Sequence, residues 1–171
     1  VFSFLSINPG VDFSARELSD NTDTSKGAIH NAIQTFLQLD IVSRQKKGNV
    51  YLYRLNQKSL LVKQYKIFEN ILLLIPLVQE IKPISYKIIL FGSCAQGEND
   101  RESDVDLFIE TEEKEKVQKK INKFEKGIYD IKAAIYDPLE VLESEKEDKP
   151  FFDQVKKGIT LWEGKPLEEE I

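Results

Sequence analysis

The chain has one cysteine, one histidine, one tryptophan and no methionine. A single thiol cannot close an internal disulfide. Long apolar runs are lacking too: the longest, Ile71 to Val78, contains Pro76 and falls far short of a bilayer span. No internal repeat or low-complexity tract occurs. The opening Val1-Phe2-Ser3-Phe4-Leu5 lacks the basic start and long apolar stretch of a signal peptide, so a cytoplasmic protein without membrane contact is expected.

What is present is enough for one good core or two small ones: 171 residues, 41% of them hydrophobic. The net charge of −5 divides unevenly. Residues 1–66 carry nine Lys/Arg against five Asp/Glu, net +4, and the remainder carries fifteen against twenty-four, net −9. Such a split suggests that one half meets a polyanion and the other does not.

In the basic half, Phe2, Phe4, Leu5 and Ile7 form a short apolar start closed by the turn Asn8-Pro9-Gly10. Ser14 with Glu17 is spaced as a capping box for a short helix ending near Asn21. Thr24 or Ser25 caps a second helix, in which Ala28, Ile29, Ala32, Ile33, Phe36, Leu37 and Leu39 recur at helical spacing. Ile41–Arg44 and Val50–Leu55 alternate as strands around the basic segment Gln45-Lys46-Lys47-Gly48-Asn49. Two short helices followed by such a hairpin, from Ser14-Ala15-Arg16-Glu17-Leu18 through Gly48 to Tyr53-Arg54-Leu55, resemble the winged helix-turn-helix DNA-binding domains. The resemblance implies a helix from Ser25 to Leu39 in the major groove. Lys26, His30, Asn31 and Gln34 lie on its outward face, and Arg44, Lys46 and Lys47 form a basic wing. A role in packing or dimerisation alone is the competing reading.

From about Lys58 to Ile75, Leu61, Tyr65, Phe68, Ile71, Leu72 and Ile75 recur at three or four, a helix that Pro76 is expected to end or kink. Its apolar side fits packing within the chain or against a second copy in a homodimer. The organisation expected is therefore 1–57, a connecting helix over 58–84, and a second domain over 85–171.

The second domain turns on residues 88–110. Ile88-Ile89-Leu90-Phe91 reads as a buried strand delivered to a turn at Gly92-Ser93, with Gly97 letting the turn close. Asp104 and Asp106 are two apart on a second strand and share one face, opposite Val105 and Leu107. Backbone N–H groups at a glycine turn and paired carboxylates together propose a phosphate and a divalent cation in one site. Gly-Ser, ten intervening residues and Asp-x-Asp followed by apolar residues resemble the DNA polymerase β-like nucleotidyltransferases, the minimal ones in particular, over Ser85 to about Lys165.

That resemblance implies an α+β fold: a winged helix-turn-helix and a connecting helix, then a small mixed β-sheet flanked by helices. It implies transfer of a nucleoside monophosphate from an NTP, with ATP favoured, to an acceptor that could be a partner protein. Two Mg²⁺ ions would be held by Asp104 and Asp106, and Gly92, Ser93, Gly97 and Ser103 would bind the nucleotide. Two departures stand out. Gln96 occupies a place where many minimal members carry Arg. A third carboxylate is expected on the neighbouring strand, where Asp130 is the only acid in Ile128–Tyr136. Counting back from Asp137-Pro138, however, puts the acidic position nearer Lys132 or Ala134. Either Asp130 serves as catalytic and metal-binding residue, or the third ligand is missing and the chain is a transcriptional regulator with a degenerate transferase domain. Family analogy adds a third reading, the antitoxin of a toxin–antitoxin pair.

The remainder reads as a helix from Thr111 to Lys126, with Val117, Ile121 and Phe124 inward and Gly127 as its stop. After the Ile128–Tyr136 strand come a short helix to Glu143, a charged loop over Ser144–Lys149, and a helix over Pro150–Lys157. An edge strand over Ile159–Trp162 and a loose acidic tail from Pro166 complete the chain.

Overall fold

A computed structural model describes residues 1–124 and 130–164. Gly127, the start of the expected Ile128–Tyr136 strand and the expected tail from Pro166 lie outside the described residues. The chain divides into two compact units, Val1–Lys66 and Ile67–Ile171.

The first unit contains α1 (Phe2–Ser6), β1 (Phe13–Ser14), α2 (Ala15–Thr22), α3 (Lys26–Gln38), β2 (Val42–Lys47) and β3 (Val50–Leu55). The strands form an antiparallel sheet in the order β1-β3-β2. Ser14 and Glu17 make the reciprocal capping box at the start of α2, and Ser25, not Thr24, caps α3 by accepting from the Ala28 amide. Leu18, Ile29, Ile33, Val42, Tyr53 and Leu55 close one core with Leu5 of α1. Ala28 and Leu39, expected on the apolar side of α3, are exposed. β2 runs further than expected, to Lys47, because Lys47 pairs with Val50 across a two-residue turn. Gly48 there has φ 61°, the conformation a tight hairpin asks of glycine. Lys46 and Lys47 are therefore strand residues and not part of a loop.

Helix α4 (Leu60–Ile81) crosses the boundary between the units and continues through Pro76. Pro76 lacks the N–H that would reach the Leu72 carbonyl, but both residues are on the exposed side, where water can satisfy the freed carbonyl. Val62, Asn70, Leu74, Leu77, Val78 and Ile81 are buried, whereas Leu61, Phe68, Leu72 and Ile75 are 44–58% exposed.

The second unit continues with a 3-10 turn (Lys82–Ile84), β4 (Lys87–Phe91), α5 (Gly92–Gln96), β5 (Val105–Glu110) and α6 (Lys114–Phe124). β6 (Ile131–Tyr136), α7 (Pro138–Glu147), α8 (Lys149–Lys156) and β7 (Ile159–Glu163) follow. The mixed sheet has the order β6-β5-β4-β7, with β5 and β6 parallel and the other pairs antiparallel. Period-two alternation divides its faces. Ile88, Leu90, Val105, Leu107, Ile109 and Ile131 pack with α4 and α6, while Ile89, Phe91 and Phe108 pack with Phe152 and Val155 of α8.

Two boundaries differ from expectation. Thr111 does not cap α6 directly. Its hydroxyl donates to the Ile84 carbonyl at 2.5 Å and accepts from the Glu113 amide at 2.9 Å, so the helix starts at Lys114. The charged stretch expected as a loop is the end of α7, as suits a Glu- and Lys-rich run. Asp148 then both ends α7 and caps α8.

A proline inside a helix costs its missing bond, so Pro76→Ala is expected to raise unfolding free energy by roughly 1–3 kcal/mol in urea denaturation.

Candidate functional site

β4 is buried from Ile88 to Phe91 and releases the chain at Gly92. Gly92 has φ 69°, opens the single-turn helix α5, and gives way at Gly97, which has φ 67°. The first N–H groups of a helical turn have no partner within it. Phe91 pairs with Asp106 across the sheet, and a Cβ on Gly92 would collide with the Asp106 carboxylate. Turn and carboxylate strand therefore approach as closely as a glycine permits.

Four hydrogen bonds that no sequence pattern announces hold this turn. Asn70, buried on α4, donates to the Cys94 carbonyl at 2.9 Å and to Asn99 Oδ1 at 3.0 Å. Asn99 donates back to Asn70 Oδ1 at 3.3 Å. The Cys94 thiol, buried in the core, donates to the Asp104 carbonyl at 3.4 Å, tying the turn to the start of β5. Ser103, expected among the nucleotide contacts, turns to its own loop: its hydroxyl accepts from the Asp100 amide at 2.8 Å and donates to Asp100 Oδ1 at 3.0 Å. Ser93 is half-buried beside Gly92, and Gln96 is exposed.

Asp106 lies on the face of β5 shared with Phe108, and Asp104 immediately precedes the strand; both are half-buried. The parallel pairing of β5 with β6 puts Lys132 beside Asp106 and Ile131 beside Val105. Lys132 Nζ is 2.5 Å from Asp104 Oδ2. Asp130 precedes β6; its carbonyl accepts from the Val105 amide at 2.9 Å, and its side chain is exposed. Burial holds the Asp106 carboxyl above the usual carboxylate range, with Asp104 adding to the rise and Lys132 opposing it. The Asp104 hydrogen bond raises Lys132 above its ordinary value, helped by the charges of Asp104, Asp106 and Asp130. The Lys132 and Asp104 side chains are 68% and 34% exposed, so solvent screens the pair and it adds little to folding. Its consequence is where it fixes positive charge.

A set of three acids around two divalent ions does not fit these residues. Among the described residues, no group of three His, Cys, Asp or Glu is placed to hold a metal ion. Asp130 is not gathered with Asp104 and Asp106 into one, and Lys132 stands on Asp104 instead.

Beside the turn is a cavity of about 310 Å³ lined by Gly92, Ser93, Ala95, Gln96, Glu98, Gln154, Lys157 and Gly158. Lys157 reaches it from the end of α8 because Gly158 lies against β4. A Cβ there would meet the Leu90 carbonyl at 2.5 Å and Ile89 Cγ2 at 2.7 Å. The available signal in the sequence is Lys156-Lys157-Gly158 ahead of the edge strand, which by itself marks only a helix end.

In the first unit, Lys26, His30, Asn31 and Gln34 are all exposed on α3, as are Arg44, Lys46 and Lys47 on β2. The Arg44 guanidinium lies over the Tyr51 ring, 4.8 Å from its centroid. Arg54 is not free for a ligand: it makes two 2.8 Å bonds to the Asp12 carboxylate.

A family model for the nucleotidyltransferase domain matches residues 73–161, a span that includes the turn, the Asp pair, Lys132 and Lys157. The crystal structure of a candidate nucleotidyltransferase from Sulfolobus solfataricus is similar at 20% identity and a TM-score of 0.40, over 60% of this chain and 87% of that one. No curated protein matches.

Two substitutions test the construction of the site. Gly92→Ala combines a left-handed backbone with a collision on Asp106 and is expected to cost about 1–3 kcal/mol in chemical denaturation. Asn70→Ala removes the donor from the buried Cys94 carbonyl and is expected to cost a similar ~1–3 kcal/mol.

Proposed function

The chain belongs to the nucleotidyltransferase domain family, and we propose that its second unit binds a nucleoside triphosphate, ATP by preference, while its first unit is a winged helix-turn-helix that binds DNA. The protein is on this reading a transcriptional regulator whose transferase domain serves to recognise nucleotide. The observation that carries it is the pairing of an open glycine turn with Lys132 on Asp104. The turn and the neighbouring Lys157 support binding of a polyphosphate, and a lysine on Asp104 in place of a third acid supports recognition over two-metal transfer.

The turn N–H groups and the Ser93 hydroxyl supply donors to phosphate oxygens, and Lys157 supplies a cation at the neighbouring cavity. In the first unit, the order of α2, α3 and the β2–β3 hairpin, with exposed Lys26, His30, Asn31 and Gln34 on α3, supports a recognition helix. Arg44, Lys46 and Lys47 on β2 support phosphate contact by the hairpin.

Nucleotidyl transfer itself is the second reading, favoured by the family match. Pyrophosphate released in proportion to time from any of the four NTPs with Mg²⁺ would establish it.

For the regulator, fluorescence anisotropy with labelled duplex DNA should report binding that weakens steeply with salt. The double variant Lys46→Glu, Lys47→Glu should lower affinity at least tenfold and flatten the log–log salt slope by about two. Absence of binding to any duplex at low salt would overturn the DNA half of the proposal.

A further inference from the structure

Asp106 on β5 and Asp104 just before it lie at the mouth of the glycine turn. Two carboxylates so placed repel each other, and the repulsion needs a positive partner. In most such sites that partner is a divalent ion from solution. Here the chain carries its own. Parallel pairing fixes Lys132 beside Asp106 in the sheet, and its side chain reaches back along the same face to Asp104, 2.5 Å away. Asp130, one residue before β6, adds a third negative charge to the surroundings of the same ammonium. Lys132 thus stands beside the Asp pair, where an ion would have to enter.

We infer that Lys132 is the resident counter-cation of the Asp104–Asp106 pair, and that it excludes a divalent metal while leaving the glycine turn able to take a nucleoside triphosphate without one. The nucleotide half rests on the function proposed above; the exclusion of metal does not.

The physical case is one of charge and space. A divalent ion bridging Asp104 and Asp106 would lie within a few ångströms of the Lys132 ammonium and be repelled by it. To bind, it must displace Lys132 from Asp104 and move that ammonium away from the pair. A triphosphate arriving at Gly92-Ser93 meets the opposite situation. Lys157 is a positive group at the cavity beside the turn, and it offsets phosphate charge that an accompanying Mg²⁺ would otherwise neutralise. The site keeps the cation its carboxylates require, at a cost in the ability to exchange it.

Two measurements on the full chain separate the parts. The first titrates Mn²⁺ without nucleotide and follows the free ion by electron paramagnetic resonance. The wild type should show no site at the Asp pair, and Lys132→Asp should create one, at least about tenfold tighter. Lys132→Gln, which removes charge without adding an acid and keeps β6 intact, should give an intermediate affinity. Mn²⁺ binding to the wild type that is lost in Asp104→Asn and unchanged in Lys132→Asp would overturn the exclusion of metal. The second titrates ATP calorimetrically in EDTA and then in Mg²⁺. Equal affinity within about twofold supports metal-free binding; a dissociation constant at least tenfold lower in Mg²⁺ overturns it, while leaving the nucleotide reading in place. No heat and no competition in either buffer overturns the nucleotide reading itself, and the Mn²⁺ result still decides the role of Lys132.

Discussion

Two like charges two residues apart on one strand must be balanced, and the second unit is arranged around that requirement. Asp104 and Asp106 cannot turn inward, because Val105 and Leu107 on the opposite face are fully buried between β5 and the helices. They share an open face with Gly92 close enough that no side chain fits between. β4 and β5 must therefore pair in one register, with Phe91 opposite Asp106, and the turn must carry glycine. The cation that balances the pair comes from β6, and this also depends on register. A slip of one residue would put Ile131 or Ala133 on the carboxylate face and Lys132 in the core.

The supporting contacts follow from the same requirement. Asn70 and Asn99 are polar side chains in a buried setting, and each answers the other while Asn70 also satisfies the Cys94 carbonyl. Cys94, with its thiol on the Asp104 carbonyl, is a positioning group and not a reactive one. On the far side, Gly158 lets the turn after α8 press on Leu90, which brings Lys157 to the cavity by the glycine turn. None of these residues need touch a ligand for the site to depend on them.

Much of this could be read from the chain without coordinates, where the signal was local. A buried strand, a glycine at its end and Asp-x-Asp on the next strand depend on periodicity and spacing, which neighbouring residues carry by themselves. The capping box of Ser14 and Glu17 is of the same kind. Non-local facts were not readable. Counting along one strand cannot say which β6 residue lies opposite Asp106, so Asp130 and Lys132 could not be separated until the pairing was known. Leu61, Phe68, Leu72 and Ile75 make a good apolar stripe on α4, yet the residues buried there are Val62, Leu74, Leu77 and Ile81, with Asn70 among them. Helical period alone does not choose between two apolar stripes.

A crystal structure of the chain grown with Mg²⁺ and a non-hydrolysable ATP analogue decides whether the lysine or an ion holds the carboxylate pair. Phosphates at the Gly92-Ser93 turn, the Lys132 ammonium still on Asp104, and no ion between Asp104 and Asp106 are expected. An octahedral ion bridging those two carboxylates, with Lys132 swung away, would contradict that expectation.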